Sequence, residues 1–441
     1  MSARRRPVRV LITPREVAGV AVGLHDGLVH YGFEADMLLR WPHPFSYSAP
    51  RPRTRSLRAL FRLVEREHGT GRPNGPVARA ISLAARVVAL PLLALRYDAV
   101  VYVGADTLLR HGSDRAFFQR AGCRVITIFC GSDARPPYLN GFWINPTSGE
   151  PDFTAIRAAT KQTRARVERA ERQSDFVVNH PATAQFQRKA YVDWTVMGMP
   201  GPDSGPASWA GLGVGESVDR PVRVLHAPSD PEHKGSTRIR AAVEQLRRGS
   251  RDIDYTEVTG ESHATVQRLL HDSDVVVDEL WSDALLAGLA TEAARLGKPV
   301  VVCGYAGDLL RALAERVGAP ADHYVHPDDL LDRLTTLVDD AAGRRDLGGR
   351  LRTFVEAQWS QEAIAGRYAR LITGQPDASW LDGPDDAVYV HGWGVDEHVL
   401  RARLRTYIDQ FGERALELPP GPQTEAVRSL LADDAGAQSR R

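Results

Sequence analysis

The chain has 441 residues, 43% of them hydrophobic and 25% charged, with a formal net charge of +1. That length exceeds one ordinary core, so two to three domains are expected. The near-neutral balance argues against a nucleic-acid binder, and three scattered cysteines (Cys123, Cys130, Cys303) suit neither a disulfide framework nor a metal site. No stretch reaches the length of a membrane span, and the apolar run in MSARRRPVRVLIT is too short for a signal peptide, so a cytoplasmic chain is expected.

The first 200 residues alternate strand and helix signals. VRVLIT (8–13) reads as a buried strand, followed by Ala18-Gly19 and a helical run carrying Leu24, Leu28 and Tyr31. EADMLL (34–39), DAVVYVG (98–104), CRVITIFCG (123–131) and DFVVN (175–179) read as further strands. Near-continuous apolar strands alternating with helices indicate a parallel sheet covered on both faces. Residues 1–110 hold 17 Arg and no Lys against 8 acidic residues. Arg51, Arg53, Arg55, Arg58 and Arg62 lie just before an apolar stretch, Val77 to Leu95. Such a segment reads either as a solvated helix face beside a core helix or as a peripheral contact with anionic membrane.

Residues 198–221, rich in Gly, Pro and Ser, read as an interdomain linker, whose core is 201–221. Its Gly211, Gly213 and Gly215 follow no strand, which argues against a nucleotide loop. The alternation restarts at VRVLH (222–226) and runs to KPVVVCG (298–304), giving a second doubly wound domain over 222–357. A closing amphipathic helix (358–373) and an extension (374–441) with a helix near Val399 to Phe411 and a disordered end complete the reading.

The first turn of the second domain, HAPSDPEHKGST, places Lys234 between a strand and a helix N-terminus. Pro228 and Pro231 delay the helix, and Ser236 or Thr237 can cap it. A lysine beside free first-turn amides outlines an anion site. Only four lysines occur among 56 basic residues, so one retained here is notable. Two such sheets leave a cleft between their carboxyl edges, where ligands of doubly wound folds bind.

The segments HAPSDPEHKGS, TGESHATV, SDVVVDEL and LATEAARLGKPVVV, in that order, resemble the retaining GT-B-fold glycosyltransferases of the family-4 type. The resemblance covers roughly residues 222–303 well and the first domain loosely. It implies two Rossmann-like domains facing a cleft and metal-independent transfer of a hexose-type sugar from a UDP- or GDP-linked donor. The acceptor is unidentified, and no further cofactor is expected. It implies that Lys234 contacts the donor diphosphate, with Gly235 and Ser236 beside it, and that Glu292 clamps the ribose. Gly260, Ser262 and His263 would lie near the base. Ala18, Gly19, Gly131, Ser132 and Arg135 would lie on the phosphate and acceptor side, with Asp133 as a second catalytic candidate.

Three positions depart from that pattern. Ser229 and Asp230 stand where an arginine is usual, Ala284 replaces the first glutamate of the Glu-x7-Glu pair, and Cys130 replaces a histidine. These losses touch the donor sugar more than the nucleotide. Two alternatives therefore stand beside transfer: a sugar-nucleotide epimerase of similar fold, and a catalytically inactive binding or partner subunit.

Overall fold

The computed structural model describes residues 6–40, 52, 54–65, 76–142, 150–201 and 220–438. Arg51, Arg53 and most of the linker, including its three alternating glycines, lie outside the described residues. The first half comprises β1 (Arg9–Pro14), α1 (Val20–His30), β2 (Glu34–Met37), α2 (Arg55–Glu65), α3 (Pro76–Arg96) and β3 (Ala99–Val103). It continues with α4 (Ser113–Arg120), β4 (Arg124–Ile128), α5 (Phe153–Gln173), β5 (Phe176–Asn179), β6 (Tyr191–Asp193) and α6 (Trp194–Met197). The second half begins with β7 (Val222–His226), α7 (Ser236–Arg248), β8 (Ile253–Glu257), α8 (His263–Asp272), β9 (Val275–Val277) and α9 (Gly288–Arg295). β10 (Val300–Cys303), α10 (Gly307–Val317), β11 (Tyr324–Val325), α11 (Leu330–Asp339), α12 (Ala341–Gln358) and α13 (Gln361–Ile372) follow. The extension adds β12 (Leu381–Asp382), α14 (Glu397–Phe411) and α15 (Pro422–Gln438).

The strands form two sheets, as the apolar runs predict. One has the order β12-β6-β5-β4-β3-β1-β2, parallel except where β12 pairs antiparallel with β6. The other, β11-β10-β9-β7-β8, is parallel throughout. Their centres are fully buried on both faces: Val10, Leu11, Val100 and Val101 in one, Val276, Val277, Val300 and Val301 in the other. This is the two-domain Rossmann-like architecture expected from the sequence.

Two returns of the chain tie the halves together. At Trp359, whose indole Nε1 donates to Thr195 O (3.2 Å), the chain crosses back, and α13 packs on α1. Gly27 makes that packing close, because a Cβ there would sit 3.2 Å from Gln361 O. The extension then packs on the first domain through Val390, Leu400, Leu404, Tyr407, Val427 and Leu430. The last helix of the extension, α15, runs to Gln438. The apolar face of that helix (Val427, Leu430) has a core to join.

Candidate functional site

The carboxyl edges of the sheets face each other across a cleft of ≈540 Å³. Loops after β1, β4 and β5 form one wall, loops after β7, β8 and β9 the other, and Trp393 of the extension lies beside them. Trp393 is held by backbone bonds to Leu139 and Gly141, while Gly394 N donates to Trp281 O (3.0 Å). The extension thus wedges between the two domains. Nothing in its Pro- and Asp-containing sequence announced this role.

Lys234 lines the cleft, as its place after β7 predicts. Its ammonium is not free: it is paired with Glu279 and stands 3.8 Å from Asp278 Oδ1. Burial alone would lower the Lys234 pKa; the two carboxylates outweigh it and hold the ammonium above its ordinary value. Burial raises Asp278, against the pull of Lys234. The ammonium also faces the Trp393 ring at 5.7 Å.

The helix that follows starts differently from the expectation. Gly235 is its N-cap, in the left-handed region (φ 75°), and no side chain caps it. A Cβ there would meet Leu280 Cβ at 2.5 Å, so close packing against the loop after β9 also demands glycine. Ser236 Oγ instead bonds His226 Nε2 (2.8 Å). The amides of Lys234, Gly235 and Ser236 donate to Asp230, Glu232 and Pro231 carbonyls. Of the first-turn amides, that of Ser236 is therefore taken by a turn that Pro231 opens before α7.

The matching turn in the first domain is filled in a comparable way. Ala18 (φ 50°) and Gly19 (φ 83°) are both left-handed, and Ala18 lines the cleft. The buried carboxylate of Glu16 accepts from Val22 N (2.9 Å), taking the place at the α1 N-terminus that a phosphate would use. Burial raises Glu16, against the amide bonds that lower it.

Glu292, on α9, lines the cleft and is mostly buried. His263 Nε2 lies 2.9 Å from Oε1, and Gln267 Nε2 donates to Oε2 (2.6 Å). The bond to Glu292 raises His263, with burial opposing it. His263, the first residue of α8, thus orients Glu292. Ser262 performs the capping, accepting from Thr265 N (3.2 Å). Gly260 lines the cleft with φ 77°.

On the opposite wall Cys130, Gly131, Ser132 and Arg135 line the cleft, but Asp133 does not. Asp133 Oδ1 accepts from Cys130 N (2.8 Å), closing the loop. Arg135 donates through Nε to Asp283 Oδ2 (2.9 Å) and through Nη1 to Asn140 Oδ1 (2.8 Å). This buried pair joins the two domains. Arg135 bridges them rather than facing the cleft as a free cation. Position 284 supplies only backbone, bonded to Ser282 Oγ (3.2 Å), and the carboxylates nearby are Glu279 and Asp283. Asp230 turns from the cleft to His233 (2.9 Å). Among the described residues no group of His, Cys, Asp and Glu could hold a metal ion.

No known family matches the chain, and no curated protein does. Similar solved structures include Anabaena Alr3699/HepE in complex with UDP and glucose (14% identity, 83% of this chain and 100% of that one, TM-score 0.47). OtsA in its apo form (12%, 83% and 99%, 0.49) and the glycosyltransferase SnogD from Streptomyces nogalater (15%, 83% and 100%, 0.42) are further examples.

Proposed function

We propose that the cleft binds a nucleotide sugar and that the chain transfers its sugar to an acceptor held by the first domain. One observation carries the reading: Lys234 and Glu292, both singled out in the sequence, line one cleft at the carboxyl edges of two parallel sheets. Glu292 keeps carboxylate lone pairs for two vicinal ribose hydroxyls, and its existing partners fix its orientation. Lys234 supplies the positive charge that a leaving diphosphate needs. The donor competes there with Glu279, whose carboxylate must move or take a proton as the diphosphate arrives.

The Lys234–Glu279 pair also favours a second reading, nucleotide binding without transfer, because the ammonium is already neutralised. A panel of UDP- and GDP-sugars, scored for calorimetric binding and for sugar release in the presence of acceptor extracts, separates the two. Transfer predicts both signals. Binding with no release selects the second reading, and absence of binding removes both.

Peripheral membrane contact belongs to the same proposal. Arg55 and Arg62 are exposed on α2. On the neighbouring α3, Val87, Val88, Leu92 and Leu95 face outward, Leu95 at 81% exposure. This pairing of basic and apolar surface supports docking on anionic bilayers. Among the described residues no helix is long and apolar enough to cross a membrane.

A further inference from the structure

A second cavity, of ≈240 Å³, lies in the first domain behind the loop that closes on Asp133. Its wall includes Arg40, Arg110, Arg115, Arg166 and Arg169. Three segments meet there: the end of β2, the loop from β3 into α4, and the middle of α5. The apolar strands carry their loops to the sheet edge, and α5, capped by Asp152 on Ala155 N (2.9 Å), presents Arg166 and Arg169.

Among the described residues five arginines line this cavity, against three acidic side chains at or near it, Asp106, Asp114 and Asp133. Arg115 is 2% exposed, yet its polar contacts are a weak bond from Nη2 to Ala105 O (3.3 Å) and the Tyr102 ring at 4.8 Å. Its Nε is buried without a hydrogen-bond partner among the described residues. Arg166 reaches only the Asp133 carbonyl, at 3.5 Å, and neither it nor Arg169 forms an ion pair among the described residues. Of the acidic side chains, Asp106 lines the cavity but pairs with Arg15 (3.4 Å). Asp114 lies behind the wall, accepting from Tyr102 Oη and Leu108 N (both 2.8 Å). Asp133 is turned to Cys130 N. Elsewhere in this Arg-rich chain exposed arginines are commonly paired, as Arg251 is with Asp339 and Arg350 with Asp322.

Burying a guanidinium is costly even with carboxylates nearby, and several close together repel one another. Burial lowers Arg115, with Asp114 and Asp133 opposing it, and burial together with Arg166 and Arg172 lowers Arg169, with Glu168 opposing. A guanidinium stays protonated even so. A bound anion would offset the remaining excess of positive charge. The planar forks suit tetrahedral oxyanions, which accept paired N–H bonds from several directions.

From this geometry we infer that the cavity is a binding site for a phosphate group, free or carried on a small molecule, separate from the nucleotide cleft. The inference does not depend on the glycosyltransferase reading. Titration calorimetry on the full chain, in chloride buffer, tests it with two probes, inorganic phosphate and glucose 6-phosphate. The variants are Arg166→Gln/Arg169→Gln, both partly exposed on α5, and the cleft control Lys234→Met/Glu279→Gln, each checked for an unaltered circular dichroism spectrum. Saturable one-site binding is expected for at least one probe. It should weaken at least tenfold in the arginine variant and stay unchanged in the cleft control. The stronger probe tells a free phosphate from one carried on a sugar. No saturable binding of either probe, equal affinity in the arginine variant, or loss confined to the cleft control overturns the inference.

Discussion

The cleft and the arginine cavity lie on either side of one loop, residues 129–135, and they handle positive charge in opposite ways. In the cleft, each buried cation has its own carboxylate: Lys234 has Glu279, and Arg135 has Asp283. Across the loop, Arg115, Arg166 and Arg169 share no such partner among the described residues. A ligand entering a site whose cations are already paired gains little from charge alone and is selected by shape and hydrogen bonds. An unbalanced site instead selects for charge itself. The difference explains how an uncharged ribose can be the best-held part of the proposed donor, while a bare phosphate suffices next door.

The most severe way to break the comparison is to unbalance the cleft. Lys234→Ala leaves Glu279 and Asp278 buried without their cation, so a loss of about 3–5 kcal/mol is expected in urea unfolding. Lys234→Met/Glu279→Gln, which removes both charges at similar volume, should recover most of that loss. Equal destabilisation of the two variants would mean that the pair is held by packing and not by charge.

The balance itself was not legible in the sequence, for physical reasons. Apolar runs such as VRVLH and AVVYV report burial directly, so both sheets and the cleft edge could be read from period and length. Lys234 and Glu292 could be placed because each sits at a fixed offset from a strand or a Gly-Lys-Pro turn. Their partners could not. Glu279 and Gln267 come from other elements, and only the packing of α8 and α9 brings Gln267 to Glu292. Trp393, nearly 160 residues downstream of Lys234, carries no local signal at all. Glu16 was a clue available in principle, being an acid six residues before the amide it accepts from.

A milder perturbation sharpens the cleft side of the contrast. Glu292→Gln removes charge-assisted bonds worth about 1.5–3 kcal/mol, so nucleotide affinity should fall by at least tenfold. The same variant reads out His263. Because Glu292 raises the His263 pKa, this pair stabilises the fold fully below the ordinary histidine value of 6.5. Its contribution disappears as pH rises through the raised folded value. Proton NMR should therefore place the His263 midpoint above 6.5 in the wild type and lower in Glu292→Gln. An unmoved midpoint would show that Glu292 is not what holds the imidazolium.

The smallest effect concerns the outer face of α2, where Arg55 and Arg62 are exposed. Arg55→Gln/Arg62→Gln should weaken co-sedimentation with anionic vesicles by about 1 kcal/mol per arginine at low salt, and by less as screening rises. Equal sedimentation with neutral vesicles would leave these arginines as a solvated helix face.

Whether Glu292 holds a ribose in a cleft whose cations are already paired is decided by removing the hydroxyls it would bind. Calorimetric titrations of the wild type and of Glu292→Gln with UDP and GDP, each compared with its 2′,3′-dideoxy form, make that measurement. The account predicts that the wild type binds one of the two nucleotides at least tenfold more tightly than the dideoxy form, and that Glu292→Gln loses most of this preference. Equal affinity of the wild type for both forms, or a preference retained in the variant, would contradict it.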